Sequence, residues 1–553
     1  MPGIWTALTN QPGENKPSFD ACHPLLLTDG RVMAQDNNTA SWYALTPDEQ
    51  GAYENGTWVP LASSTGFVFE DGTVGDYGPG CFGSAVLADG RVLVVGGEYN
   101  LGGQVSGNTC GIYDPVLNEW HQVESPPFPN FTLSDAPVCV LTDGSVLVGA
   151  TNPTSPTDPA TATAIFEPTT GSWSAGPPNP SSQWEATWTL LPDGSVLSPS
   201  VNQAPATYRY YPGTTPVAQL GQGRPLATPA RWESAGDTPA GHELSSPQAL
   251  ETGPALLMPD GTVIAFGAIG HTAIYAPATG QLAAPGQTTP SDIGTWSGGP
   301  DFPVDPAAPG DGNVLTTYAM ADAPAALLPN GTVIGLAGPL VGSYTGPPTV
   351  VVEFTPAQGT APAQLEVQDA SEQAAFGGPI PAQTQGGHLL VLPTGSVLMT
   401  LSGPSAFIYH PASQTPPPAA VPTITSVSAT LLPGGTGYRI EGHGFNGLSQ
   451  ASSFGDDAAN ATNYPLVRIE NVASGHVAYC RTHDHSTMAV VTGSEVVSTL
   501  FDVPADVEHG PSNLYVVANG VPSAAWHLDG GIFAKPPLID PNGGGGIHQV
   551  PGH

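Results

Sequence analysis

Five acidic residues recur at nearly the same position of a repeated sequence unit: Asp20, Asp135, Glu185, Glu251 and Asp322. Three of them stand eight residues before a turn that recurs along the chain, and Asp20 and Glu251 stand nine residues before it. Two carboxylates about 8 Å apart repel by roughly 2 kcal/mol at an effective dielectric constant near 20. A gathered set must therefore bind a cation, share protons or stay well hydrated.

These three possibilities imply different roles for the acidic residues. An oxygen-rich group suits Ca²⁺ or Mg²⁺, with Asp135, Glu185 and Asp322 as candidate metal ligands. Carboxylates whose pKa values are pushed apart could instead act as acid and base, and the candidate catalytic residues are then Asp135, Glu185, Glu251 and Asp322. The alternative to these two functional roles is a structural one, in which the acids stay hydrated and cap backbone amides at the starts of strands.

The elements that position these residues are seven apolar hairpins in the first 400 residues. Each has a two-residue turn that ends in glycine: Asp29-Gly30, Asp89-Gly90, Asp143-Gly144, Asp193-Gly194, Asp260-Gly261, Asn330-Gly331 and Thr394-Gly395. Asp-Gly and Asn-Gly supply the positive φ angles of tight hairpin turns. Successive turns are 50 to 70 residues apart, which is the length of four short strands with their loops. The pattern predicts an all-β fold with a seven-bladed propeller over residues 1–415.

The seventh unit lacks the tryptophan-containing strand that ends other units, such as the strand of Trp120. The N-terminal segment from Ile4 to Leu8 has the missing pattern, so we expect it to complete blade seven and to close the ring. Closure removes exposed sheet edges. Because innermost strands surround the channel of a propeller, the five acids should gather at one channel mouth. Trp184 and Asp20 are candidate ligand-binding residues there, with Trp184 as a stacking surface for a sugar ring.

A second domain is predicted at residues 422–533. Alternating stretches from Gly437 to Gly442 and from Leu514 to Gly520 predict the strands of a small immunoglobulin-like β-sandwich. Residues 534–553 are rich in glycine, and we expect a flexible tail.

Composition limits the classes of partner. The chain has 46 acidic and 10 basic residues and a formal net charge of −36, which argues against nucleic acid and anionic membranes as partners. There is no apolar run long enough for a membrane span, and the first twenty residues lack the pattern of an ordinary signal peptide. The location stays open, with a secreted or cell-surface protein as the expectation. Five cysteines without CxxC spacing give no zinc signature.

The blades and the second domain together resemble the kelch-type propellers of the galactose oxidase and glyoxal oxidase superfamily. The segments from Gly455 to Arg468 and from Tyr479 to Met488 resemble more closely a bacterial group of kelch-repeat proteins. The resemblance spans nearly the whole chain. It implies a seven-bladed propeller with a C-terminal immunoglobulin-like domain.

The resemblance also locates the copper site of these oxidases on the inner strands. Cys81 matches their cross-linking cysteine, but Asp135 and Glu185 stand where its tyrosine partner is expected. The tyrosine-histidine ligand pair is missing as well. Copper-radical chemistry is therefore not expected, because hard oxygen ligands replace most of the copper ligands.

The C-terminal domain of these oxidases supplies a Thr-His element that reaches the copper, and Thr482 with His483 resembles it. We therefore expect His483 as a further metal ligand, with Arg481 and His485 beside it as ligand-binding residues. An ordinary polar hairpin is the alternative.

Two histidines also share one position, six residues before the turn. His23 and His388 occupy it in blades one and seven, which adjoin after ring closure. They could form a metal or proton-relay site, or they could be interior histidines with satisfied hydrogen bonds.

The favoured hypothesis is recognition or processing of a carbohydrate-like ligand at the acidic channel mouth, with a divalent cation, Ca²⁺ or Mg²⁺. A non-catalytic kelch scaffold or adhesion protein that binds a protein partner is one alternative. A metal-dependent oxidase with altered ligands is another. Whether the protein is an enzyme stays open, because a fold does not fix a function.

Overall fold

In a computed structural model, the protein is built mainly of antiparallel strands. The structure describes residues 3–105, 107–126, 132–151, 161–213, 228–247, 249, 251–278, 293–304, 317–341, 344–369, 371–428, 430–455 and 460–532. Short 3₁₀ turns in this part of the chain are Pro12–Glu14, Glu372–Phe376, Thr384–Gly386 and Pro418–Ala420. No helix within the described ranges has the length and apolar character needed to cross a membrane.

The first three blades follow the N-terminal strand β1 (Ile4–Ala7). Blade one contains β2 (Ala21–Leu26), β3 (Val32–Asp36), β4 (Trp42–Thr46) and β5 (Thr57–Pro60). The chain then forms β6 (Phe67–Val68), β7 (Val74–Gly75) and β8 (Pro79–Gly80). Blade two contains β9 (Gly83–Val86), β10 (Val92–Val95), β13 (Cys110–Asp114) and β14 (Glu119–Val123), and between its strands lie β11 (Tyr99–Asn100) and β12 (Gly103–Gln104). Blade three contains β15 (Val138–Val140), β16 (Val146–Gly149), β17 (Thr163–Glu167) and β18 (Ser172–Ala175).

Blades four to seven repeat the same four-stranded order. Blade four contains β19 (Thr189–Leu190), β20 (Val196–Pro199), β21 (Ala206–Tyr211) and β22 (Arg231–Asp237). Blade five contains β23 (Ala255–Leu257), β24 (Val263–Phe266), β25 (Thr272–Ala276) and β26 (Thr295–Gly298). After β27 (Tyr318–Ala319), blade six contains β28 (Ala325–Leu327), β29 (Val333–Val341), β31 (Val350–Thr355) and β32 (Gln364–Val367), and β30 (Tyr344–Thr345) pairs with β29. Blade seven contains β33 (His388–Val391), β34 (Val397–Thr400) and β35 (Ala406–His410).

The blades form a ring around a central channel. The first strands of neighbouring blades contact one another, as β2 does with β33, β33 with β28, β28 with β23, and β23 with β19. The N-terminal strand β1 pairs antiparallel with β35, where Trp5 lies opposite Tyr409, and so forms the outermost strand of blade seven. The seven-bladed, all-β propeller predicted from the sequence is confirmed for the described part of the chain.

The middle strands are buried on both faces because neighbouring blades cover them. All residues of β10, β24 and β34 are buried, which explains their continuous apolar sequences. The outermost strands are mostly exposed, and their tryptophans pack on an aromatic residue of the third strand. Trp173 lies 4.9 Å from Phe166, and Trp296 lies 5.0 Å from Tyr275, between ring centroids.

The recurrent turns have a different geometry from the two-residue turns that the sequence predicted. In the first turn, the Gly30 N–H donates to the Leu27 carbonyl (3.0 Å), and the Leu27 N–H donates to the Arg31 carbonyl (2.8 Å). Glycine alone adopts a positive φ angle, 80° at Gly30, whereas Asp29 does not. The Asp29 carboxylate instead accepts a hydrogen bond from the Arg31 N–H (3.1 Å). Aspartate therefore caps the backbone two residues on, and glycine supplies the left-handed residue of a three-residue loop.

The C-terminal unit adds a further group of strands. They are β36 (Thr423–Val427), β37 (Tyr438–His443), β38 (Ser452–Ser453), β39 (Leu466–Asn471), β40 (Val477–His483), β41 (Val497–Asp502), β42 (Gly510–Ala518), β43 (Val521–Pro522) and β44 (Trp526–Ile532). Strand β40 pairs with β39 through Val477 to Cys480, and with β41 from Arg481 to His483. The immunoglobulin-like class and the domain limits at residues 415, 422 and 533 stay predictions. The expected tail at 534–553 lies outside the described residues.

One part of the C-terminal unit lies inside the propeller, and we call residues 450–455 the channel segment. Its strand β38 pairs with β28 of blade six. The channel segment also accepts backbone hydrogen bonds from the inner parts of four blades: Leu190 N–H to Gln450 Oε1 (2.9 Å), Leu327 N–H to Ala451 O (2.7 Å), Val391 N–H to Ser452 Oγ (3.4 Å) and Ala255 N–H to Ser453 Oγ (3.4 Å). The two units therefore share one hydrogen-bonded centre.

Candidate functional site

A cavity of about 680 Å³ lies where the innermost strands begin, at the end of the channel remote from the recurrent turns. Residues from all seven blades line it. Phe454 of the channel segment also lines it, and its ring stacks on His388 with centroids 5.3 Å apart. The titratable residues of the cavity fall into three groups of different chemistry around the ring.

The first group contains only carboxylates. Glu185, Glu251 and Asp322 come from blades four, five and six, and one oxygen from each lies within 4.8 Å of the others. Glu185 and Glu251 are only 7% and 4% exposed. The three residues lie just before the innermost strands of adjacent blades, and this position brings them together.

The second group combines a thiol with carboxylates. One ligand atom each from Cys81, Glu98 and Asp135 lies within 4.8 Å of the others, at the start of blades two and three. Tyr99 lies beside them and also lines the cavity. The negative charge of Glu98, with a smaller effect of burial, raises the pKa of Tyr99.

The third group consists of a thiol and two imidazoles. Cys22 Sγ lies 2.8 Å from Nδ1 of His23 and 3.3 Å from Nε2 of His388. Burial raises the pKa of the Cys22 thiol to about 12 and lowers the pKa of His23 to about 3. Burial, together with the neighbouring His23, holds the pKa of His388 well below its usual range. At neutral pH this group is therefore uncharged.

Four equivalent residues of the ring adopt left-handed backbone angles. Cys81, Asp135, Glu185 and Asp322 stand eight residues before their turns, and their φ angles are 50°, 45°, 59° and 41°. Such angles cost about 1–2 kcal/mol for residues other than glycine, and they persist where the surrounding structure holds them. The residue pattern contains no signal for this feature. The left-handed angle interrupts the extended backbone just before each innermost strand, at the point where the side chains line the cavity.

Four of the five predicted acids line this cavity, together with Trp184. They are Asp135, Glu185, Glu251 and Asp322. Asp20 does not line it. Its side chain is exposed, and its backbone N–H donates to the Asp36 carboxylate (3.0 Å). The structure thus gathers Trp184 and four acids and leaves Asp20 outside.

The structure does not bring His483 to the acidic residues of the cavity, contrary to the expectation from the sequence. Its ring lies 2.7 Å from the Asp484 carboxylate and 3.3 Å from the Asp502 carboxylate. The adjacent Thr482 N–H donates to the Thr28 carbonyl (3.0 Å), just before the first recurrent turn. In blade one, the extended chain from Ala21, at the start of β2, to Thr28 spans roughly 20 Å, so His483 lies at the opposite end of the channel.

Arg481 and His485 also lie on the turn side of the propeller. Arg481 forms an ion pair with Asp502 (3.0 Å), donates to the Asp89 carbonyl (3.0 Å), and lines a separate cavity of about 630 Å³. His485 is buried, with Nδ1 at 2.9 Å from the Thr499 hydroxyl. Neither side chain lines the acidic cavity.

The sequence interpretation missed Glu98, Tyr99 and Phe454. Glu98 and Tyr99 follow the second strand of blade two after two glycines, and the end of that strand lies beside the start of the first in an antiparallel pair. The repeat therefore contained the information needed to predict that these two residues lie near the start of the innermost strand. Phe454 had no such signal, because its position depends on the entry of the C-terminal unit into the channel.

No protein-family model and no curated protein matches the chain. Among the solved structures, that of YjhT aligns at 13% sequence identity with a TM-score of 0.34, covering 66% of this chain and 98% of the YjhT chain. This degree of likeness bears on neither ligand nor activity. Membership of the galactose oxidase superfamily stays a prediction, and Asp456 and Asp457, within one segment of that resemblance, lie outside the described residues.

Proposed function

We propose that the protein recognises a carbohydrate-like ligand in the acidic cavity, with a divalent cation held by Glu185, Glu251 and Asp322. The observation that carries the proposal is the approach of three carboxylates from three adjacent blades, with one oxygen from each within 4.8 Å of the others. The proposal extends to processing of the ligand, for which the same carboxylates would act as acid and base.

Electrostatics supports a cation at this place. Two carboxylate charges 4.8 Å apart repel by about 3.5 kcal/mol at an effective dielectric constant near 20, and the burial of Glu185 and Glu251 limits their screening by water. A divalent cation converts this repulsion into attraction. Three carboxylate oxygens are the hard ligands that Ca²⁺ and Mg²⁺ prefer.

The remaining lining supports a ligand rich in hydroxyl groups. Trp184 and Tyr99 offer aromatic faces, and Asn37, Asn38 and Gln385 offer amide donors and acceptors. A sugar presents an apolar ring face and a rim of hydroxyls, which matches both kinds of wall. The volume of about 680 Å³ is in the usual range for small-molecule sites.

The test measures thermal unfolding of the full chain after removal of metal with EDTA, with and without Ca²⁺ or Mg²⁺. A cation bound only by the folded state at 100 times its dissociation constant stabilises that state by about 2.7 kcal/mol, so Tm should rise. Glu251→Gln should lose most of the rise. The matched control is Asp20→Asn, which removes one charge from an exposed carboxylate outside the cavity and should keep it.

The ligand is then sought on a glycan array with the cation present and with EDTA. We expect cation-dependent binding to be lost in Trp184→Ala, and a bound glycan is next tested for turnover. An equal rise of Tm in Glu251→Gln and in the parent protein would contradict the cation site. No cation response and no glycan binding would favour the scaffold alternative, which a pull-down of protein partners tests.

A further inference from the structure

A thiol and two imidazoles meet where blades one and seven adjoin. Cys22 and His23 belong to β2, and His388 begins β33. One potential ligand atom from each lies within 4.8 Å of the others, and all three residues line the acidic cavity. Cys22 forms no disulfide. These are donors of a different chemical class from the carboxylates on the other side of the cavity.

The backbone of blade one is distorted at this place. Neighbouring side chains in a regular strand point to opposite faces, yet Cys22 Sγ and His23 Nδ1 lie only 2.8 Å apart. The pairing of β2 with β3 shifts register between Cys22 and Leu25, and His23 has a φ angle of 46°. This bulge presents both side chains on one side of the strand.

A second distorted residue faces the same thiol from blade seven. Ser402 has a φ angle of 45°, and its hydroxyl lies 3.3 Å from Cys22 Sγ. Left-handed angles at two residues that are not glycine persist only where the surrounding structure holds them, and they concentrate at functional sites. Each of the two distorted residues, His23 and Ser402, has a polar side-chain atom in contact with Cys22 Sγ.

We propose that Cys22, His23 and His388 bind a transition-metal ion of the zinc class and leave a fourth coordination position open to the cavity. Thiolate and imidazole are the ligands of Zn²⁺ and related borderline ions, whereas Ca²⁺ and Mg²⁺ require oxygen. Three protein ligands with one open position are typical of catalytic rather than structural zinc sites.

The distances suit such an ion after small movements. Bond lengths of about 2.3 Å to sulfur and 2.0–2.1 Å to nitrogen place tetrahedral ligand atoms about 3.5 Å apart. Cys22 Sγ is 3.3 Å from His388 Nε2 and 2.8 Å from His23 Nδ1, so the thiol and the His23 nitrogen would have to move apart by about 0.7 Å to share the ion. The thiol proton leaves to solvent when the ion binds.

This proposal goes beyond the proposed function and does not depend on it. It gives one cavity two cation sites, a hard one at Glu185, Glu251 and Asp322 and a softer one at Cys22, His23 and His388. An ion at the softer site would offer its open position to whatever occupies the cavity, as a Lewis acid.

The test uses Co²⁺ as the probe ion, added to the full chain after EDTA dialysis. One equivalent should produce the near-ultraviolet charge-transfer absorption of a thiolate bound to Co²⁺. Cys22→Ser should abolish this absorption. Cys81→Ser is the matched control, because Cys81 lines the same cavity but belongs to the group with Glu98 and Asp135, and it should keep the absorption.

A second measurement uses the unmodified protein loaded with Zn²⁺, so it does not depend on the folding of any variant. X-ray absorption at the zinc edge gives the atoms bound to the ion and their distances. One sulfur at about 2.3 Å with nitrogens at about 2.0 Å from zinc would support the proposal. A shell of oxygen and nitrogen alone, or absorption that persists in Cys22→Ser, would overturn it.

The two proposals fail separately in these experiments. Glu251→Gln should lose the Ca²⁺ response and keep the Co²⁺ absorption, and Cys22→Ser should do the reverse. A protein that shows the Co²⁺ absorption without a Ca²⁺ response would contradict only the proposed carboxylate site.

Discussion

His485 is a buried titratable group at the contact between the propeller and the C-terminal unit. Its ring is nearly parallel to that of Tyr464, with centroids 6.1 Å apart, and its backbone N–H donates to the Ala88 carbonyl (3.1 Å). Burial is the main cause that lowers its pKa to about 3. Charged groups contribute less, and those near the ring are His483, Arg481, Asp484 and Asp89.

We predict that His485 makes folding less stable as the pH falls below 6.5. Its pKa is about 3 in the folded state and about 6.5 in the unfolded state, so the unfolded state binds the extra proton between these values. The stability is fully present above pH 6.5 and is lost by up to about 1.4 kcal/mol per pH unit below it. The free energy of unfolding in urea, measured at pH 7 and pH 4.5, should therefore fall less in His485→Asn than in the parent protein.

The control for this prediction is His121→Asn, because the His121 side chain is 53% exposed. Its pH dependence should follow that of the parent protein. Asparagine keeps a polar atom near the position of Nδ1, which contacts Thr499. A pH dependence in His485→Asn as steep as in the parent would contradict the prediction.

At the scale of the residue, the sequence predicted most of the acidic residues that line the cavity, but it did not predict the left-handed backbone angles among them. Counting back from each turn identified Asp135, Glu185 and Asp322, because blades repeat in register. Their left-handed φ angles arise from the ring around them and leave no mark in residue type. The prediction that His483 is a metal ligand of the acidic cavity was wrong, because a local Thr-His pattern does not indicate at which end of the channel the histidine lies.

At the scale of the element, the glycine of the recurrent turn must meet two requirements. It must adopt a positive φ angle, and at some turns it must also leave room for a neighbouring part of the chain. Every one of the seven turns has glycine at a φ angle between 79° and 88°. The surroundings differ: a Cβ atom at Gly30 would lie 2.5 Å from the Tyr479 ring of the C-terminal unit, whereas one at Gly261 would have no atom within 4 Å. The turn glycine is therefore common to all blades, but the residues that surround it in space differ from blade to blade.

We predict that Gly30→Ala destabilises the protein more than Gly261→Ala. Both variants place alanine at a left-handed angle, which costs about 1–2 kcal/mol. Only Gly30→Ala adds a steric clash, which costs roughly another 1–3 kcal/mol. Urea unfolding of the two variants measures the difference, and equal losses would mean that the contact with Tyr479 is not tight.

At the scale of the whole molecule, the ring is held at two places by distant parts of the chain. The N-terminal strand β1 completes blade seven, where the Trp5 ring lies 5.0 Å from Tyr409 and its Nε1–H donates to Gln368 (3.0 Å). The channel segment joins the inner strands from the C-terminal side. The pairing of β1 joins residues about 400 positions apart, as in Trp5 and Tyr409, and the bonds of the channel segment join residues 61 to 260 positions apart.

We predict that Trp5→Ala lowers the free energy of unfolding by about 3–5 kcal/mol, as is typical of a buried tryptophan. Trp5 is 6% exposed, whereas its neighbour Ile4 is 61% exposed. Ile4→Ala is therefore the matched control in the same strand, with an expected change within about 0.5 kcal/mol. Chemical denaturation measures both, and similar effects of the two variants would contradict a closing role for Trp5.

The sequence alone determined the all-β class, the positions of the turns, the number of blades and the level at which four of the five acids lie. These follow from local turn chemistry and from the regular repeat, which do not depend on distant residues. The tertiary structure alone decided how the residues group around the ring: carboxylates on blades four to six, a thiol with two imidazoles at the junction of blades one and seven. It also decided that Phe454, and not His483, faces the cavity. Grouping depends on the order of blades in space and on backbone angles imposed by packing, and neither is encoded in the spacing of residues within one repeat.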